Sequence, residues 1–198
     1  MIYILTNPSG GMYSRLEFFL RVLVDHSEIP GSWTLHVFLD EPNVKPIDYA
    51  TSPNRIGAIS SFGSPQTRKP SMVYDNEISL SDVLYANKSE HDRDTIEKYL
   101  YSLAFRLTTD SKSADEVVEI PIRSLQTMRI AVCTANGIYT DPEKEPELSP
   151  VFPVLRDKKW LVDVTKGIPG GIKSEEELLS LKMLNGMTVD VPPYKHFA

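Results

Sequence analysis

This sequence predicts a mainly-β fold, an antiparallel β-sandwich with one longer and one short appended helix, and three observations point to it. Short runs rich in β-branched and aromatic residues recur along the chain, bounded by Pro, Gly, Asn and Ser clusters. Two of these runs, residues 16–24 and 33–39, alternate so that one face of each is continuously apolar. Helical spacing is confined to two stretches, 89–107 and 175–184. A chain of 198 residues can bury roughly 70% of its unfolded surface around one core, so residues 1–198 read as a single domain.

The elements follow in order. Residues 1–6 are apolar but too short and too poor in basic residues for a secretory signal, and they meet the turn cluster Asn7-Pro8-Ser9-Gly10-Gly11; they read as a first strand. Residues 16–24 and 33–39 read as a hairpin. Strand side chains alternate with period two, so Leu20, Val22 and Val24 share a core face, as do Leu35, Val37 and Leu39. The opposite faces carry Phe19, Arg21 and Leu23 on one strand and Thr34, His36, Phe38 and Asp40 on the other. Residues 56–62 and 71–74 are short strands flanking Gly63-Ser64-Pro65. In 89–107, Ile96, Leu100, Leu103 and Leu107 recur at helical spacing behind a Ser89 cap. Residues 117–122, 128–134, 151–155 and 160–164 are strands, with Ala135-Asn136-Gly137 as a tight-turn signal. Residues 175–184 form the short helix, with Ser174 and Glu177 at capping-box spacing.

Composition narrows the function classes. Hydrophobic residues at 41% and charged residues at 24% are ordinary for a soluble protein, and no apolar run approaches the ~18 residues that span a bilayer. A net charge of −6 argues against nucleic acid as a partner. One cysteine forms no internal disulfide, which suits a reducing, cytoplasmic setting in which the Asn87-Lys88-Ser89 sequon stays silent. Gly-x-Ser-x-Gly, His-Glu-x-x-His and Cys-x-x-Cys are absent. The Ser9-Gly10-Gly11 and Pro169-Gly170-Gly171 segments lack the residues of a phosphate loop and read as turns.

The stretch from Phe19 to His26, followed by Pro30-Gly31-Ser32-Trp33 and then His36-Val37-Phe38-Leu39, resembles the opening of the C-terminal domain of fungal tyrosinases and molluscan hemocyanins. Ser52-Pro53-Asn54-Arg55-Ile56-Gly57 and Met128-Arg129-Ile130-Ala131-Val132 resemble later segments of the same domain, so the likeness runs over about residues 16–165. It implies a tyrosinase/hemocyanin C-terminal-domain-like sandwich. Type 3 copper enzymes hold their metal pair with six histidines, whereas this chain has four, His26, His36, His91 and His196. Dicopper chemistry is therefore not expected, and the chain reads as a free-standing relative without the copper-binding domain.

In size, single-domain architecture and strand motif, the chain also resembles the hemocyanin-like cyclopenases of viridicatin-type quinolone alkaloid biosynthesis. That resemblance implies a zinc-dependent lyase of fungal secondary metabolism. It would convert a cyclopenin-type benzodiazepinedione epoxide, its small-molecule substrate, to a 4-aryl-3-hydroxyquinolone with loss of methyl isocyanate. The alternative is a non-catalytic chaperone or shielding domain docking on a separate tyrosinase-like copper enzyme; an unassigned small-molecule-binding sandwich is a third reading.

Zinc at a catalytic site takes three protein ligands and one open position. His36, with Asp40 four residues on, is the first candidate ligand, or else a solvent-facing or partner-facing histidine. Cys133 falls on the non-core side of its strand, as a thiolate ligand or as a buried small hydrophobe. His26 beside Asp25 is a rim ligand or an exposed turn residue. Asp40 and Glu41 are the carboxylates placed to act with His36, Glu41 being equally suited to the turn at Pro42. His91 reads as solvated, and His196 lies in the C-terminal stretch.

Overall fold

The computed structural model describes residues 12–29, 31–61, 73–86, 93–110, 116–140, 154–178 and 180. Two four-stranded antiparallel sheets face each other. The first has the order β4-β1-β7-β8, built from β1 (Met12–Asp25), β4 (Val73–Ser79), β7 (Arg129–Thr140) and β8 (Val154–Trp160). The second has the order β3-β2-β5-β6, from β2 (Trp33–Leu39), β3 (Arg55–Ser61), β5 (Leu103–Asp110) and β6 (Val117–Ile120). Helices are appended, among the described residues α1 (Ser81–Ala86), α2 (Arg93–Tyr101) and α3 (Val162–Thr165). Among the described residues no helix is long and apolar enough to cross a membrane.

The core is the one that period-two alternation predicts. Phe18, Leu20, Val22 and Val24 of β1 with Ile130 and Val132 of β7 meet Trp33, Leu35 and Val37 of β2, Ile59 of β3, and Leu103, Phe105 and Leu107 of β5. At one end the Trp33 indole stands edge-on to Tyr74, ring centroids 4.9 Å apart. At the other, β1 and β7 outrun the core. Leu16, Ile138 and Val154 share the inward face of this overhang, because Leu16 lies opposite Asn136 while Ile138 lies opposite both Ser14 and Val154. Leu16 and Val154 are exposed there.

Four expectations are corrected. Residues 16–24 and 33–39 do not form a hairpin: β1 pairs with β4 and β7, β2 with β3 and β5, and the connection through a 3-10 turn at His26–Glu28 crosses from one sheet to the other. The helix expected over 89–107 stops at Tyr101, and Leu103–Asp110 is the strand β5. A spacing of four, as from Leu103 to Leu107, satisfies a strand as well as a helix, and Phe105 between them completes the strand face. Ala135-Asn136-Gly137 is no turn but the continuation of β7 along β1. The strand expected at 160–164 is instead the end of β8 followed by α3, while the strand expected at 151–155 is met at 154–155, where β8 opens, its residues 151–153 lying outside the described residues. The helix α1 was not anticipated; its Ser81 hydroxyl accepts from the Phe18 amide at 2.8 Å and ties it to β1. Residues 176–178 and 180 are helical as expected, while residues 179 and 181–184 of that segment, the first strand expected at 1–6, His91 and His196 lie outside the described residues.

The crossing between sheets is anchored by one carboxylate. Glu28 accepts from the Gln126 amide (3.1 Å), the Thr127 amide (3.0 Å) and the Thr127 hydroxyl (2.8 Å), and the same hydroxyl accepts from the Asp25 amide at 2.9 Å. Glu28→Ala removes the acceptor for three donors and is expected to cost about 1–3 kcal/mol. Urea denaturation should show a lowered midpoint with an unchanged slope.

Candidate functional site

His36 lies on the outer face of the second sheet together with Thr34 and Phe38, as alternation along β2 requires. That face is not open. The 3-10 segment Pro46–Thr51 folds over it and places the Tyr49 ring edge-on to both His36 (5.5 Å) and Phe38 (5.3 Å). Tyr49, Phe38 and Ala104 form a small buried apolar cluster. The segment is held at its rim, where the Tyr49 hydroxyl donates to Glu119 of β6 at 2.6 Å and Arg55 of β3 donates to the Ala50 carbonyl at 3.2 Å. Arg106 of β5 pairs with Glu41 and lies 3.6 Å from Glu119. Burial and the Glu119 carboxylate push the Tyr49 hydroxyl up to about 12.

His36 Nε2 lies 3.0 Å from the Thr108 hydroxyl, which also reaches the Thr34 carbonyl at 3.4 Å; with the imidazole proton on Nε2, both contacts are hydrogen bonds, Nε2–H donating to Thr108 and Thr108 to the carbonyl. Nδ1 is then a lone-pair acceptor, buried and without a partner. Burial, reinforced by the Arg55 charge, lowers the imidazole to about 4, so His36 is neutral at pH 7.

Cys133 lies on the outer face of the other sheet, where its cross-strand neighbours are Phe19 and Trp160. Lys158 of β8 reaches over it to Glu77 of β4, spanning β1 and β7 from one edge strand to the other. The small outward residues Ala131, Cys133 and Ala135 leave room for that pair to lie flat. The ammonium sits 5.7 Å from the Phe19 centroid and 5.1 Å from that of Trp160. Beside it Arg21 forms a two-pronged pair with Asp75, at 2.7 and 2.6 Å. Cys133 is fully buried beneath these groups, and burial drives its thiol up to about 12. Lys158→Ala removes a cation that favours the thiolate but relieves the larger effect, burial, and on balance should raise the reaction rate of Cys133 with a thiol reagent about tenfold. An unchanged rate would mean that Lys158 is not what shields the thiol.

The expected metal ligands thus do not converge. His36 and Cys133 project from opposite outer faces of a sandwich whose two sheets pack ~10 Å apart, whereas zinc ligands must lie within about 2.3 Å of one ion. Asp40 is past the end of β2, in a left-handed conformation (φ 66°), exposed, with its amide bound to the Ser102 carbonyl. Glu41 is exposed and engaged with Arg106. The His26 backbone opens the 3-10 turn, and its side chain lies outside the described residues. Among the described residues no group of three or more His, Cys, Asp or Glu is placed to hold a metal. The described donor set does not fit a zinc ion. Sequence reasoning found His36 but not its partners Tyr49, Arg55, Arg106, Thr108 and Glu119. Alternation along β5 is the signal that would have put Arg106 and Thr108 on its face.

The tyrosinase C-terminal domain family matches residues 17–132, more than half of the chain, and the chain belongs to that family. The structure is similar to that of recombinant mushroom tyrosinase (abPPO4), with a TM-score of 0.53 and 16% identity over 83% of this chain and 26% of the mushroom chain. It is also similar to a structure of coexisting latent and active mushroom tyrosinase (abPPO4), with a TM-score of 0.51 and 17% identity over 85% of this chain and 28% of that one. The chain spans about a quarter of the length of these relatives. No curated protein matches it. At this identity the likeness speaks for the fold: two antiparallel sheets with few short helices.

Proposed function

We propose that this chain is a non-catalytic shielding or chaperone domain that docks on a tyrosinase-type copper enzyme in the cytoplasm. The observation that carries the reading is that three of the candidate site residues, His36, Cys133 and Glu41, are engaged within the fold. His36 is locked neutral under Tyr49, Cys133 is sealed beneath Lys158, and Glu41 is spent on Arg106. Membership of the tyrosinase C-terminal domain family supplies the partner class. The test is to add the purified chain in excess to an active tyrosinase freed of its own C-terminal domain and to follow catechol oxidation. Inhibition that saturates with added chain supports docking; full activity at every concentration would overturn it.

The resemblance to cyclopenases carries a finer proposal, a zinc-dependent lyase acting on a cyclopenin-type substrate. It needs ligands beyond those the described residues bring together. Elemental analysis of protein purified without added metal, with cyclopenin turnover before and after chelation, separates the two readings. About one zinc per chain with chelator-sensitive turnover would replace the docking reading. Metal-free, inactive protein would retire the lyase, and a His36→Ala variant that keeps full turnover would remove His36 from its site.

A further inference from the structure

We draw no further inference here: the strongest candidate, the apolar strip of Leu16, Ile138 and Val154 on the inward face of the overhang formed by β1, β7 and β8, carries nothing because nothing in the structure shows what covers it.

Discussion

Gly171→Ala is expected to be among the most destabilising single-methyl additions to this chain, lowering stability by more than about 3 kcal/mol, or roughly 10 °C in Tm for a domain of this size. A Cβ at position 171 would lie 1.8 Å from the Thr165 carbonyl oxygen, 2.6 Å from its carbon and 3.0 Å from the Ile168 oxygen. All three are backbone atoms, so no rotamer change relieves the clash. The surrounding segment cannot simply move away, because it is stitched to the centre of the first sheet. The Ile130 amide donates to the Gly170 carbonyl at 2.7 Å, and the Ile172 amide donates to the Ile130 carbonyl at 3.1 Å. The next side chain, Ile172, is fully buried with Leu23, Val73, Ala131 and Leu178, so shifting the turn also opens that cluster. Gly167→Ala is the control, since a Cβ there meets nothing within 4 Å. Thermal unfolding of the two variants should differ by nearly the whole effect. A Gly171→Ala protein melting within a degree or two of the parent would show that the turn has an alternative conformation of similar energy.

What the sequence made legible was local, and what it hid was relational. Period-two alternation assigned the faces of β1 and β2 correctly, with Leu20, Val22, Val24, Leu35 and Val37 inside and Phe19, Arg21, His36 and Phe38 outside. It could not say that the two strands belong to different sheets. That one unknown decides the site, for the outward faces of a sandwich point in opposite directions, and His36 is parted from Arg21 and Cys133 by the whole core. The helix read through Leu103 and Leu107 had a second consequence. It took β5 out of the second sheet, and with it Arg106 and Thr108, which define the surroundings of His36. The cover over His36 was hidden for another reason: Tyr49 sits in a Pro-containing connection with no periodicity, and only the folded structure brings it onto Phe38. Membership of the family was legible because it rests on a string of residues, from Phe19 to Val132, rather than on their arrangement.

Acidification from pH 6.5 to pH 4 should weaken the fold through His36, and His36→Gln should remove that part of the pH dependence. The folded protein resists protonating His36 until about pH 4, because the ring is buried beside Arg55 and no carboxylate approaches the unpartnered Nδ1 among the described residues. An unfolded chain takes up the same proton near the usual 6.5. Between these values the unfolded state binds more protons than the folded one, so stability is at its full value above pH 6.5 and falls as the pH drops toward 4. At 1.36 kcal/mol per pH unit, the window limits the loss to about 3 kcal/mol. Gln can still donate to Thr108 but has nothing to titrate, and losing the ring contacts with Phe38 and Tyr49 costs it about 1 kcal/mol at pH 7. Urea denaturation of both proteins at intervals from pH 4 to pH 7 isolates the effect, since every other histidine and carboxylate is common to the two. The parent should lead at pH 7 and lose its lead as the pH falls, so that the two curves converge or cross. Parallel curves over that interval would mean that His36 takes up its proton without strain, and that the Tyr49 cover yields to it more readily than its packing implies.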